Sequence, residues 1–512
     1  MPEPGVYSVR RVRQGLKDFL IGKGFVLVAG FLSAVMIVRF MTVADYAVYA
    51  TLIGVQVFLV TLASFGLDRA ITRFIPDAMQ IGDSTGLAIL IKVFTLWRVA
   101  GTISVLAVTV LGTHWLAQVL HADNHMAEMH LMWLYTALFI FMQHLTRTLQ
   151  AMMAQSIVKW GLFSESLFRV VLLTSLIILS SEAVALWDVL VILCFSATMS
   201  ILVMGIALLK LLRDMLVGAK GGVSSSHDLI VFCRENYFQS LLLLPGEAAS
   251  LRILGAHFLT PAAMAAFGFF QTLTGTFRRN LPVQLMLDLI EPVMMASYSR
   301  DKDFRRLNHM TNSVLKLNLF VLSPLLAWLT FNAGGVTHLL TGGKYVELSW
   351  MLPVMVVGLM YESHWIVLRT VTNALDESAF LVKAGIWSSL GLALTVVALL
   401  SPFESKVVIL VLGVVLVLMV RNAYVVGKLR HERRPYTLDW LGMFKFFSVA
   451  YFSSLLSELF IAVLGLPDLA WLSSGLLTLA IYLVAIRLFR PFNQEEAVLL
   501  LKVNRRFKLL VG

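Results

Sequence analysis

Apolar residues run along this chain in long blocks, each about 20 residues and each interrupted by a short polar stretch. A helix needs about 20 such residues to cross the hydrocarbon of a bilayer. The blocks predict fourteen spans, near 19–40, 46–66, 87–112, 129–150, 162–180, 188–211, 231–254, 262–288, 312–332, 350–372, 381–400, 405–427, 441–464 and 469–489. The connections alternate in charge. With the N-terminus inside, the inner loops and tails hold Arg10, Arg11, Arg13, Lys17, Arg69, Arg73, Arg300, Arg305, Lys428, Arg430 and Arg490 among others, and the outer loops hold essentially Lys344 alone. The positive-inside rule then places both termini in the cytoplasm and favours an even number of spans.

Two flanking segments have a different pattern. Val9, Val12, Leu16 and Phe19 recur at helical spacing among basic residues, and Asn493 with Glu496 resembles a capping box ahead of VLLLKVNRRFKLL. Both read as basic amphipathic helices on the anionic inner leaflet, or simply as topology anchors. The first apolar run is too long for a signal-peptide core, and no small-residue cleavage site stands out.

A repeat is also visible. Phe40–Tyr49 reads FMTVADYAVY and Phe258–Phe267 reads FLTPAAMAAF. Each string joins one span to the next at the outer face, and the following inner ends carry Pro76 with Met79 and Pro292 with Met295. The unit is six helices, an even number, so the two copies run in parallel around a central cavity suited to alternating access. The expected organisation is a six-helix bundle over 1–212, a cytoplasmic linker over 213–230, a second bundle over 231–430, and two extra helices with an amphipathic tail over 431–512.

Composition agrees with that architecture: 59% of residues are hydrophobic, 14% are charged, and the mean hydropathy is +0.83. The class is an all-α polytopic membrane protein. The net charge of +11 is accounted for by the inner loops, and no concentrated basic domain suggests nucleic acid. Cys194 and Cys233 lie in apolar stretches with neither a disulfide framework nor metal-ligand spacing. No phosphate-binding G-x-x-x-x-G-K-[ST] loop occurs, and no cofactor is implied. The outer loops are short, which favours transport over a membrane sugar polymerase or acyltransferase.

Charges inside the spans need a cavity or a partner. Arg278 and Arg279 fall some sixteen residues into the eighth span, and Arg98 eleven residues into the third. Arg234 and Arg252 lie on the seventh, and Lys23 and Arg39 bracket the first. An excess of cations suits an anionic ligand such as a diphosphate, which guanidinium forks match bidentately. Pairing of Arg278 and Arg279 with Glu247, Asp288 or Glu291, or snorkelling, stays open beside that reading, as does pairing of Arg234 with Glu235. Glu247, Glu362 and Glu458 are candidates for ion coupling; Glu362 has His364 and Arg369 close by in sequence as structural partners.

The stretch ADYAVYATLIGVQVFLVTLASFGLDRAITRFIPDAM resembles the first hairpin of polysaccharide-biosynthesis flippases of the multidrug/oligosaccharidyl-lipid/polysaccharide exporter superfamily, and LRILGAHFLTPAAMAAFGFFQTLTGTFRRNLP resembles its counterpart in the second bundle. The resemblance implies translocation of undecaprenyl-diphosphate-linked oligosaccharide from the inner to the outer leaflet. It implies a cationic cavity lined by helices 1, 2, 7 and 8, which here carry Lys23, Arg39, Arg234, Arg252, Arg278 and Arg279. It further implies a bacterial inner-membrane location, a lipid-linked glycan and membrane lipids as partners, and polymerase or export machinery nearby. The last two helices, 441–489, would help to hold the lipid tail by analogy. A lipid II flippase or a drug/cation antiporter of the same superfamily is the alternative, although the first span carries no acidic residue between Phe19 and Phe40, which counts against the multidrug branch.

Overall fold

A computed structural model describes residues 9–82, 84–180, 183–216, 226–432, 434, 436–465, 470–492 and 496, with side chains described outside 9–23, 214–216, 226–228, 285–290, 292, 293, 296, 378 and 470. The chain forms two compact units, residues 1–268 and 269–512. The first contains α1 (Val9–Phe40), α2 (Val43–Leu62), α3 (Leu67–Ile81), α4 (Ser84–Leu111), α5 (Thr113–Val119), α6 (Met126–Ala151), α7 (Gln155–Leu179), α8 (Leu186–Leu216), α9 (Ser226–Leu243) and α10 (Ala248–Phe258). The division falls inside α11 (Pro261–Arg279). The second unit continues with α12 (Pro282–Asp301), α13 (Phe304–Thr341), α14 (Met351–Ala374), α15 (Ser378–Leu400), α16 (Lys406–His431), α17 (Trp440–Leu464) and α18 (Ala470–Phe489).

Helices occupy most of every expected span, and ten helices among the described residues are long and apolar enough to cross a membrane. The architecture is that of an all-α polytopic membrane protein. In the first unit α7 packs between α1 and α8, and α6 lies against α8 and α4. In the second, α13 is the hub, contacting α12, α14, α17 and α18. Its 38 residues make a helix about 57 Å long at 1.5 Å per residue, well beyond the ~30 Å of hydrocarbon. A core of Leu315, Leu319, Ile366, Phe446 and Tyr482 fixes α14, α17 and α18 around it.

The repeat has a structural counterpart. Thr42 caps α2 by accepting the Asp45 amide at 3.1 Å, and Thr260 accepts the Ala263 amide at 3.4 Å at the start of α11. Each capped helix is followed by a break and a second helix, α3 after α2 and α12 after α11.

Three departures from the sequence reading matter. The seventh span is not one helix. Pro245 and Gly246 interrupt it, a 3-10 turn fills Leu244–Gly246, and α10 restarts after an extended Glu247. Proline lacks the amide that the helix ladder needs, and glycine adds backbone freedom. The eighth span, expected to reach 288, stops at Arg279. The Asn280 side chain bonds back to the Thr276 carbonyl at 2.8 Å, and Leu281 is extended ahead of Pro282, which disfavours helical geometry in its predecessor and starts α12 itself. At the N-terminal end, the basic segment expected to lie on the membrane is continuous with the first span in α1. The corresponding C-terminal segment lies outside the described residues, apart from Glu496.

The first unit extends to residue 268 because α9 and α10 pack on α3 and α2. Arg69 donates to Asn236 at 2.9 Å and Gln239 at 2.5 Å, and the Tyr237 hydroxyl donates to the Leu62 carbonyl at 3.1 Å. Phe65 stacks on Tyr237 with centroids 5.1 Å apart. At the α2–α3 connection Gly66 has φ +75°, and a methyl placed there would sit 2.8 Å from the Cys233 carbonyl carbon and closer still to its oxygen. Glycine is needed here both for the left-handed backbone and for the approach of α9.

Candidate functional site

In the second unit, the break after α11 fixes where its last turn ends, and that turn carries Arg278 and Arg279. Both are thus helix-terminal residues, not mid-helix ones. Arg278 reaches Glu362 on α14 at 3.3 Å, and Arg421 on α16 binds the other carboxylate oxygen at 2.7 Å. Arg369, two turns along α14, adds its field to the same carboxylate. Arg421 is buried, and its guanidinium lies 4.1 Å from the Trp365 ring centroid. Arg278 keeps 40% of its side-chain surface exposed. The group therefore holds one carboxylate against at least two guanidiniums: one is fixed by burial and stacking, and the other is accessible. Arg279 is exposed beside it. Of the other acids considered as partners for Arg278, Glu291 instead accepts from Asn373 at 2.8 Å, and the Asp288 side chain lies outside the described residues.

The first unit holds the remaining cations. Arg98 is 2% exposed and binds Asp68 of α3, which also binds Arg147 at 2.8 Å. Arg252 on α10 donates to the Gly268 carbonyl at 3.3 Å, and its Cβ would be 2.9 Å from a methyl at Gly54 of α2. Arg252 and Arg169 both act electrostatically on Tyr49. Arg169 is itself held by Glu165 at 2.7 Å and donates to Ser33 of α1 at 3.2 Å. Arg39 is exposed in the last turn of α1, and Arg234 and Glu235 are exposed on α9. The Lys23 side chain lies outside the described residues.

The three acids differ in surroundings. Glu362 is bracketed by guanidiniums, whereas His364, which sequence proximity offered as a partner, bonds the Tyr436 hydroxyl at 2.9 Å. Glu247 is half-buried at the break before α10, whose Ser250 amide binds its carbonyl at 3.1 Å. Glu458 on α17 accepts from Asn332 of α13 at 2.5 Å and from Ser474 of α18.

Residues 19–244 match the family model described as "Polysaccharide biosynthesis protein". Among solved structures, an inward closed lipid II flippase MurJ superposes with a TM-score of 0.66 at 12% identity, over 92% of this chain and 98% of that one. An inward-facing multidrug resistance MATE family transporter of the MOP superfamily gives a TM-score of 0.63 at 14% identity, over 80% and 96%. The chain shares the fold of these two transporters. A third such structure, a MOP superfamily transporter from Pyrococcus furiosus whose binding pocket is described as having reverse polarity, gives 0.52 at 14% identity, over 83% and 96%. No curated protein sequence matches the chain.

On this fold, sequence reasoning missed several charges inside the predicted spans. Arg421 and Arg169 sit inside predicted spans and were overlooked, although Glu165 and Arg169 at i,i+4 were a visible signal. Lys316 on α13 is fully buried and contacts Asp439 at 2.5 Å, Glu496 at 2.6 Å and the Pro491 carbonyl at 3.1 Å. Its partners are 123 and 180 residues away, so no local pattern announces it.

Proposed function

We propose that this protein is a flippase that carries undecaprenyl-diphosphate-linked oligosaccharide from the inner to the outer leaflet by alternating access, for surface polysaccharide biosynthesis, and that it makes and breaks no covalent bond. The family match over 19–244 and the shared fold support the class. The observation that carries the substrate reading is the Arg278–Glu362–Arg421 group. A diphosphate and its sugars cannot enter hydrocarbon without losing their water. Arg278 can exchange a shared carboxylate for phosphate oxygens while Glu362 stays compensated by Arg421, so the exchange strands no charge. Arg279 offers a further contact in the second unit; in the first unit Arg252 is a separate candidate contact, and Arg98, enclosed by Asp68, has a supporting role on this reading. Lys23, Arg39 and Arg234 remain candidate contacts for the anionic headgroup.

The prenyl tail needs a separate, apolar home. An open groove of about 750 Å³ in the second unit is lined by Leu315, Leu319, Met360, Leu441, Phe444 and Phe447 of α13, α14 and α17. We assign the tail to this groove and to α18, which packs on α17 and α13. The protein works in the bacterial inner membrane with both termini in the cytoplasm, near the polymerase or export machinery that uses its product. An inside-negative potential then favours outward movement of the anion by about 2.3 kcal/mol per charge per 100 mV. Lipid II is the second substrate reading, favoured by the similarity to MurJ over nearly the whole chain.

Transbilayer movement in proteoliposomes tests the proposal. Undecaprenyl-diphosphate-oligosaccharide becomes accessible to an outside reagent with the wild type, and access collapses with the folded Arg278→Ala/Arg279→Ala variant. Movement of lipid II with none of the oligosaccharide carrier would select the second reading. Unchanged movement in the variant would displace the site.

A further inference from the structure

We infer that Arg147 marks a second oxyanion site, in the first unit, which takes the phosphate of a lipid headgroup. The choice of ligand rests on the flippase reading; the site itself rests on the geometry of α3, α4 and α6. Asp68 stands in the first turn of α3, just after the left-handed Gly66. Its carboxylate is divided between two guanidiniums: Oδ1 binds Arg98 of α4, and Oδ2 binds Nη1 of Arg147 of α6 at 2.8 Å. Among the described residues no second carboxylate pairs with either arginine, so the group holds one cation more than Asp68 balances.

The two arginines are not equivalent. The Arg98 side chain is 3% exposed and also donates to the Ala63 carbonyl at 3.4 Å. α4 approaches the α2–α3 connection so closely that a methyl at Gly101 would lie 2.6 Å from the Phe65 ring. Arg98 is therefore held on Asp68. Arg147 is 38% exposed, and Asp68 is the one partner described for it. Glu362 is served in the same way, by Arg421 at 4% exposure and Arg278 at 40%. Glu362 does not lie on α12, the counterpart of α3, so the likeness is one of construction and not of repeat position. A structural tie alone needs no surplus, because one arginine already balances the carboxylate. When Arg147 turns to a phosphate, Asp68 keeps Arg98 and no charge is stranded. Position selects the ligand. Arg147 lies four residues before the end of α6, about 6 Å along the axis at 1.5 Å per residue. A long side chain so placed reaches the headgroup layer, and a guanidinium fork matches two phosphate oxygens. Two lipids bring such a phosphate: the polyprenyl diphosphate of the proposed substrate and an anionic phospholipid of the leaflet.

The experiment measures lipid affinity and arginine protection on the full-length protein in maltoside micelles. The probes are undecaprenyl diphosphate, phosphatidylglycerol and undecaprenol, which lacks phosphate. Arg147→Gln should weaken binding of a phosphate-bearing lipid by about 10- to 100-fold, the loss of one charge-assisted contact, and leave undecaprenol unchanged. Arg147→Lys keeps the charge without the fork and should fall between. A loss confined to undecaprenyl diphosphate assigns the site to the substrate headgroup; a loss for phosphatidylglycerol as well assigns it to phosphate headgroups in general. In the wild type, phenylglyoxal modification of Arg147, read by mass spectrometry, should be slowed by the phosphate-bearing lipid and not by undecaprenol. This readout stands even if Arg147→Gln does not fold, and it should persist in Arg278→Ala/Arg279→Ala. Unchanged affinities in folded Arg147→Gln, even with a lower thermal midpoint, would leave only a structural tie and overturn the inference. So would equal modification of Arg147 with and without the lipid phosphate. Either result would leave the flippase reading to its own transport assay.

Discussion

Replacing Gly66 by alanine should pry α9 away from the α2–α3 connection. Two costs add. The left-handed backbone at φ +75° disfavours any residue with a Cβ by about 1–2 kcal/mol. The new methyl also meets the Cys233 backbone, which cannot rotate aside as a side-chain tip could, and overpacking of this kind costs about 1–3 kcal/mol. The sum, about 2–5 kcal/mol, is set against the Arg69 bonds to Asn236 and Gln239 and the Tyr237 bond to Leu62. At 1.4 kcal/mol per factor of ten, even the lower figure raises the separated population about 25-fold. Cys233 reports the change directly, because it is 3% exposed in the closed packing. Maleimide labelling in a Cys194→Ser background should accelerate by that factor in Gly66→Ala. Gly82→Ala is the control: Gly82 has φ +76° but open space around it, so it carries the backbone cost without the clash and should leave Cys233 protected. Equal labelling of wild type and a folded Gly66→Ala variant would refute the reasoning.

Lys316→Met should lower stability by about 3–5 kcal/mol, read as a fall in the thermal midpoint, because it removes the buried ammonium that binds both Asp439 and Glu496; adding Glu496→Gln should recover part of the loss. The same tie has a pH signature. Burial raises the Asp439 carboxyl, but the hydrogen bonds from Lys316 and the Gly442 amide outweigh it and hold the group below 3.8. Its contribution to stability is therefore full above that value and lost as pH falls through the lowered one, a loss that Lys316→Met should abolish in an acid-unfolding series. Asp68→Asn should destabilise the first unit by about 3–5 kcal/mol by leaving Arg98 buried and uncompensated, measured by protease susceptibility of the α3–α4 region. Thr42→Ala and Thr260→Ala should each cost about 0.5–2 kcal/mol in thermal unfolding, with the larger loss at Thr42, whose cap bond is shorter.

The helical membrane segments were legible because such a segment announces itself through one local quantity, a long apolar run. The repeat was legible because two threonine caps sit in similar strings. The break at Pro245–Gly246 and the stop at Leu281–Pro282 were also written in the sequence, but each lies in an apolar run whose length outvoted its punctuation. The charge partners were not readable. Arg98 pairs 30 residues back and Arg278 pairs 84 residues on, distances that only the packing of α3 on α4 and of α14 beside the end of α11 can close. Glu496 shows the limit well: the pattern suggests a cap for its own helix, whereas its carboxylate binds Lys316.

The Lys316 tie also bears on biogenesis. The ribosome releases α13 with an ammonium whose carboxylates have not yet been made: Asp439 follows 123 residues later and Glu496 a further stretch on, 180 residues from the lysine. At about 5–20 residues per second, some 10–35 seconds of translation separate the cation from its last partner. The seating of α13 against α17 and α18 around this ammonium can be completed only after those carboxylates have been made, which makes it a late event in assembly. Quality control therefore has a natural checkpoint here, since a nascent chain interrupted before residue 439 holds a lysine that the finished packing cannot accommodate alone.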